Sequence, residues 1–264
     1  MDLGLCGKVA VVTGASRGIG LAVTRALVAE GGRVAAGART GSAELAALER
    51  EHPDRVRPVR VDLTEPDGPA RLVAEAVGAF GGLDVLVNNV GAVRPRLDGF
   101  LAVTDDDWAW SWGVNFLPAV RAIRAALPHL LDRAPATIVT VASVNAFLPD
   151  PGVIDYSAAK GALANLSKAL SKEFGPRGIR VNTVSPGPVE TDLWLGEHGV
   201  ARSVAGAGNT DAGSVVAQQA AAAATGRFTR PEEVADLVAL LAGGRAGNVT
   251  GADVVIDGGL VTTL

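Results

Sequence analysis

Tyr156 and Lys160 stand four residues apart, a spacing that puts both side chains on one face of a helix. Reducing a ketone by hydride transfer leaves negative charge on its oxygen, so a proton donor must stand beside it. A free phenol titrates near about 10, too high to exchange protons readily at neutral pH. An ammonium at the Lys160 position would favour the phenolate by charge attraction. Ser143 closes a β-branched run, where its hydroxyl could orient the carbonyl and donate to the developing oxyanion. Each residue alone is commonplace, and a Tyr-Lys pair on one helix is as often structural as chemical. Their order behind a glycine loop favours chemistry.

That loop is Thr13-Gly14-Ala15-Ser16-Arg17-Gly18-Ile19-Gly20, between a short apolar run and a helical pattern. Gly14 suits the tight turn, Gly18 the approach of a pyrophosphate, and Gly20 close helix-sheet contact. The N–H groups opening the helix would meet the phosphates. After the second strand, an NAD site needs an acid for the adenosine ribose. This chain instead reads Gly37-Ala38-Arg39-Thr40. Arg39, joined by Arg17, suits a 2'-phosphate, so the pattern favours NADP(H) as cofactor. Asp62-Leu63 follows the third strand, with Asp62 placed to accept from the adenine amino group. Asn88-Asn89-Val90-Gly91 follows the fourth and lines the adenosine end.

The elements that must position these residues alternate. Strands are predicted over Val9 to Thr13, Arg33 to Ala38, Val56 to Val61, Leu83 to Asn88, Thr137 to Ala142, Ile179 to Val184 and Val254 to Ile256. Helices are predicted over Gly18 to Glu30, Ser42 to Arg50, Glu65 to Phe80, Asp105 to Leu131, Tyr156 to Phe174 and Pro231 to Leu241. Thr104 and Asp107 form a candidate capping box, and Pro118 should bend or locally unpair the long helix. The fold expected is α/β: one Rossmann domain over residues 1–264, its doubly wound, mostly parallel seven-stranded sheet covered by helices on both faces. Ligands then belong at the carboxyl ends of the strands. The Gly-, Ala- and Gln-rich stretch 189–229, helix-like only over Ser214 to Ala224, reads as a substrate lid.

Taken together, Thr13 to Gly20, Asn88 to Gly91, Asn115, Ser143, Tyr156-Ser-Ala-Ala-Lys160 and Pro186-Gly187 make the chain resemble the short-chain dehydrogenase/reductase family over almost its whole length. Within that family it resembles NADPH-preferring 3-oxoacyl-carrier-protein reductase-like members. The resemblance implies Tyr156 as acid/base, Ser143 as its carbonyl-polarising partner, and Lys160 as a ligand of the nicotinamide ribose. It implies Asn115 as the holder of a water that links Lys160 to solvent. Pro186, Gly187, Val189 and Thr191 complete the implied cofactor set, Thr191 at the nicotinamide carboxamide. A homotetramer or homodimer is implied, packed through the Asn115 and Tyr156 helices, and the tail Gly258 to Leu264 could add an interface. One departure stands out: the family's Asn-Asn-Ala-Gly is Asn88-Asn89-Val90-Gly91 here, which adds bulk without removing a backbone donor.

Substrate residues are less legible. Arg94, Ser143, Asn145, Val153, Tyr156 and Trp194 form the candidate set, and Val144, Phe147, Leu148 and Leu195 add apolar surface. Arg94 and Arg96 follow Gly91 and are placed either to meet an acidic or carrier-bound substrate or to form ordinary salt bridges. Trp108, Trp110 and Trp112 alternate, so one helical face cannot take all three.

Composition narrows the classes. With 24 basic and 28 acidic residues and no basic stripe, nucleic acid is not an expected partner. The single cysteine excludes an intrachain disulfide and a clustered thiolate site, and no metal is expected. No apolar run reaches membrane-spanning length, and no signal core precedes Val9, so a cytoplasmic location is expected. Two other readings stay open: an NAD-dependent alcohol dehydrogenase working oxidatively, and a dinucleotide-binding regulatory or scaffold protein without turnover.

Overall fold

Seven parallel strands form one sheet in the order β3-β2-β1-β4-β5-β6-β7. They are β1 (Val9–Thr13), β2 (Arg33–Ala38), β3 (Val56–Arg60), β4 (Val85–Asn88), β5 (Ala136–Val141), β6 (Ile179–Pro186) and β7 (Asp253–Ile256). The computed structural model describes residues 1–208 and 210–263. Asn209, inside the expected lid, and Leu264, at the end of the expected tail interface, lie outside the described residues.

Every residue of β1 is buried. Alternation along the strand sends Ala10 and Val12 to one face and Val9 and Val11 to the other. On the first face, Ala10 and Val12 share a core with α1 (Gly18–Ala29), α2 (Ala43–Glu51) and α10 (Pro231–Ala242) through Leu27, Leu45 and Val238. On the second, Val9 and Val11 meet α3 (Gly68–Phe80), α5 (Leu117–Asp132) and α6 (Ile154–Phe174) through Leu72, Ile123, Leu130 and Phe174. Burying one such Val or Leu contributes about 1.5–3 kcal/mol, so a strand apolar on both sides holds both helical layers. Strand order reverses between β1 and β4, which pair from Ala10↔Val85 to Val12↔Val87. The cleft that opens there, beyond the strand ends, is where this architecture places ligands.

Two expectations change. The long helix divides into α4 (Asp105–Asn115) and α5, with Phe116 between them. Pro118, in the first turn of α5, lacks the N–H that would continue the ladder. The Thr104–Asp107 capping box forms as expected. The third helix starts at Gly68 rather than Glu65, with Pro69 in its first turn. A side chain at Gly68 would collide with the Asp62 carbonyl.

The stretch 189–229 is more helical than its composition suggests, holding α7 (Asp192–Leu195), α8 (Val200–Gly208) and α9 (Ala212–Ala222). All three tryptophans of the α4 region are half-buried. Trp112 stands edge-on to Phe116, with ring centres 4.8 Å apart. No helix among the described residues is long and apolar enough to cross a membrane.

Candidate active site

The glycine loop leaves β1 at Thr13 and is bolted to the end of β4. The Thr13 hydroxyl accepts the backbone N–H groups of Asn89 at 2.8 Å and Val90 at 3.1 Å. The Asn89 side-chain amide donates back to the carbonyls of Thr13 at 2.9 Å and Gly14 at 3.2 Å. Gly14 turns at φ +67° and Gly18 at φ +54°, a region that side chains other than glycine avoid. Gly20 is set by contact: a methyl there would collide with the Gly14 carbonyl oxygen and stand 2.5 Å from the Asn89 amide nitrogen. No side chain caps α1. The loop therefore presents helix-opening amides beside Ser16 and Ile19, a donor set that fits a dinucleotide pyrophosphate.

Two guanidiniums flank this cradle. Arg39 and Thr40 are exposed at the end of β2. Arg17 is exposed on the loop and faces Asp192 of α7 at 3.4 Å. Asp62, half-buried above the buried Leu63, accepts from Thr64 N–H at 2.9 Å and Thr64 Oγ1 at 2.7 Å. Those hydrogen bonds, with a smaller contribution from the Arg39 charge, hold its carboxyl below the usual range. On the far side, Pro186 and Val189 are buried, and Gly187 lies close against Asp257. The Thr191 methyl stands where a side chain at Gly18 would need room, 3.1 Å from an added Cβ. Thr40 after the second strand, the glycine loop with Arg17, and Thr191 in the segment after β6 thus border one cleft.

The reactive side chains lie beyond β4, β5 and the start of α6. Ser143 follows β5, is buried, and accepts the Asn145 backbone N–H at 3.2 Å while donating to Asn145 Oδ1 at 3.4 Å. The Asn145 amide donates onward to Ser157 Oγ at 3.3 Å. Lys160 is 3 % exposed, and its Nζ donates to the Val141 carbonyl at 2.9 Å. Asn115, the last residue of α4, accepts the Ala92 N–H at 3.0 Å and donates to the Ala92 carbonyl at 3.0 Å. Gly91 lies between them: an added Cβ there would be 3.0 Å from Asn115 Oδ1 and 3.6 Å from Lys160 Nζ. Ser143, Tyr156, Lys160 and Asn115 therefore converge from three separate segments: the end of α4, the turn after β5 and the first turns of α6.

Burial sets the proton affinities. It pushes the Tyr156 phenol up to about 12, with the Ser143 hydroxyl pulling in the opposite direction. It pulls the Lys160 ammonium down to about 8. The sequence suggested that Lys160 would depress the phenol by charge. In the free protein, desolvation is the largest influence on both groups and drives each toward its neutral form.

The substrate candidates divide. Asn145 contacts Ser143, and Val153 stands at the N-cap of α6. Trp194, in α7, packs edge-on against Phe228 with ring centres 5.4 Å apart. Arg94 is exposed, its guanidinium 3.8 Å from the centre of the Trp110 ring. Arg96 instead turns inward onto Asp107 and Asp155. It is therefore engaged by protein carboxylates rather than held out to a substrate, the salt-bridged alternative of the two considered. Thr13 and Asp155 carry much of the site's hydrogen bonding, yet Asp155 stood out in no motif and Thr13 was given no role of its own. The only signal for Thr13 was its place as the first residue of the glycine loop.

A family model described as "Enoyl-(Acyl carrier protein) reductase" matches residues 14–261. The chain is 33% identical over 258 residues to the 3-oxoacyl-[acyl-carrier-protein] reductase FabG of Thermotoga maritima, covering 97% of this chain and 98% of that protein. It is 35% identical over 260 residues to the 3-alpha-(or 20-beta)-hydroxysteroid dehydrogenase of Mycobacterium tuberculosis, covering 98% and 92% respectively. The crystal structure of L-sorbose reductase from Gluconobacter frateurii, complexed with NADPH and L-sorbose, superposes with a TM-score of 0.91 at 33% identity and covers 100% of both chains. The sheet order, the bolted glycine loop and these full-length likenesses agree: the chain belongs to the short-chain dehydrogenase/reductase family and is an NAD(P)H-dependent oxidoreductase acting on a ketone or alcohol.

Proposed function

We propose that the protein reduces a ketone of a largely apolar substrate to a secondary alcohol with NADPH, Tyr156 acting as general acid. The observation that carries this reading is the half-buried Tyr156 standing beside the buried Ser143 and Lys160 at the edge of the sheet that also holds the glycine loop. NADPH supplies the hydride when bound. Arg39 and Arg17 hold its 2'-phosphate, and the N–H groups opening α1 receive the pyrophosphate. Asp62 accepts from the adenine, Asn89, Val90 and Gly91 line the adenosine end, and Thr191 meets the carboxamide. Lys160 holds the nicotinamide ribose.

The Ser143 hydroxyl orients the substrate carbonyl and donates to its oxygen as charge develops. Tyr156 transfers its phenolic proton to that oxygen: burial keeps the phenol protonated at neutral pH, and the developing alkoxide is the stronger base that draws the proton off. Lys160 and Asn115 return the proton from solvent. Asn145 and Val153 border the substrate. Trp194 and the helices α7 to α9 form the lid over it, and Phe147, Leu148 and Leu195, each 46% exposed, supply apolar walls. Arg94 stands ready for an acidic group on the substrate. The chain works as a homo-oligomer.

The test is NADPH oxidation with acetoacetyl-coenzyme A, a 3-oxosteroid, L-sorbose and cyclic and aromatic diketones, run beside Tyr156→Phe and Ser143→Ala. Turnover in the wild type, with a loss on the order of 100- to 10,000-fold in Tyr156→Phe, is expected. A Tyr156→Phe protein as active as the wild type on every reduced ketone rejects the chemistry.

A further inference from the structure

Arg96 lies in the segment between β4 and α4 and is half-buried, its side chain 11% exposed. Its Nε and Nη2 both donate to Asp155 Oδ2, at 3.1 and 2.6 Å. Its Nη1 donates to Asp107 Oδ1 at 2.7 Å, and its backbone N–H to the Gly152 carbonyl at 2.7 Å. Asp155 is 1% exposed, and its remaining oxygen, Oδ1, accepts the backbone N–H of Tyr156 at 3.0 Å.

The opening of α6 explains why this matters. A helix begins with N–H groups that lack helical partners, and Ser, Thr, Asp or Asn at the N-cap usually takes one of them. Here the N-cap is Val153, whose side chain can accept nothing. Asp155, already inside the first turn, takes the Tyr156 N–H instead. A carboxylate buried to that degree requires a counterion, and the Arg96 fork is its only cationic partner among the described residues. The same guanidinium holds Asp107, the capping-box residue of α4, so one side chain ties together the starts of two helices. The other end of its segment is clamped by Asn115 at Ala92.

We propose that Arg96 is a positioning residue for the reaction: through Asp155 it fixes the first turn of α6, and thereby the Tyr156 phenol relative to Ser143. The proposal rests on the reading of Tyr156 as the proton donor. Displacements well under an ångström at a proton-transferring group cost rate, which makes a rigid anchor valuable. Lysine cannot replace it, because a single ammonium lacks the planar fork that spans both carboxylates.

The experiment uses the full chain with Arg96→Met, Arg96→Lys and the double variant Arg96→Met/Asp155→Asn. The double variant removes the buried charge together with its counterion, so it folds even where Arg96→Met does not. Three quantities are read: kcat on the fastest-reduced ketone of the panel above, NADPH affinity by fluorescence, and the ultraviolet signal of tyrosinate in the free protein. Tyr156 is the chain's one tyrosine, so that signal reports this phenol alone.

The expected result is a fall in kcat of roughly 10- to 100-fold in Arg96→Lys and in the double variant, with NADPH affinity within about twofold of wild type. Tyrosinate should form at lower pH than in the wild type, as a loosened helix start lets water reach the phenol. Wild-type kcat in the double variant overturns the proposal. So does a lowered kcat with an unmoved tyrosinate onset, since the loss would then not act through the phenol. Tyr156→Phe, run alongside, separates the two ideas: full activity there defeats the proton-donor reading itself, whereas an inactive Tyr156→Phe beside an unimpaired double variant defeats only the role of Arg96.

Discussion

Lys160 Nζ stands 5.6 Å from the centre of the Tyr156 ring, one helical turn further along α6, and spends a hydrogen bond on the carbonyl of Val141 in β5. The ammonium is thus moored to the sheet rather than free to chase the phenol. Burial moves the two groups in opposite directions, each toward its neutral form.

The phenol can be watched directly. Burial raises it to about 12 from an ordinary 10.0, so in the folded free protein Tyr156 stays protonated where a free tyrosine would be half ionised. The unfolded chain releases this proton first. The native state then binds more protons than the unfolded one, and stability falls as pH rises from about 10 to about 12. A spectrophotometric titration checks this; a tyrosinate midpoint near 10 with the protein still folded would contradict it.

Lys160 works the other way. Its ammonium falls from 10.5 to about 8 on burial, so between those values the unfolded chain holds more protons and stability rises with pH. Below about pH 8 the full burial cost is present. Lys160→Met should therefore stabilise the protein at pH 7, by at most about 3 kcal/mol at 1.36 kcal/mol per pH unit, and gain less by pH 10. Activity should fall at the same time. Thermal melts at the two pH values decide it, and an equal gain at both would be the wrong outcome.

Gly20→Ala tests the bolt between the loops. The added methyl would meet the Gly14 carbonyl and the Asn89 amide, both fixed by hydrogen bonds, so neither can move cheaply. Overpacking of this kind costs about 1–3 kcal/mol. Denaturant melts should show that loss, and NADPH affinity should fall as the loop shifts. Undiminished stability would mean that the loop yields more easily than its contacts imply.

Arg39→Asp addresses cofactor choice. Arg39 is exposed at the end of β2, so its removal should leave folding within about 0.5 kcal/mol of wild type. NADPH affinity should drop at least tenfold more than NADH affinity, because only NADPH carries the 2'-phosphate. Comparable losses for both cofactors in a binding titration would remove Arg39 from the phosphate site.

Thr104→Ala isolates a purely structural element. The threonine hydroxyl accepts Asp107 N–H at 3.2 Å, and the Asp107 carboxylate accepts Thr104 N–H at 3.1 Å. Losing the cap should cost about 1 kcal/mol. A chemical denaturation series reads this, and no change would show that Arg96 alone holds the start of α4.

Much of this was legible in the chain itself. Strand periodicity, the glycines at 14, 18 and 20, and the four-residue step from Tyr156 to Lys160 are local patterns, and local patterns are fixed by backbone geometry and the side chains nearby. They determined the parallel sheet, the dinucleotide cleft and the candidate chemistry. What the chain could not state was which distant groups would share a dry interior. Arg94 and Arg96 look alike in sequence, yet one lies over Trp110 and the other is held between Asp107 and Asp155. The proton affinities of Tyr156 and Lys160 were likewise decided by tertiary packing, because desolvation depends on everything that surrounds a group and not on what precedes it in the chain.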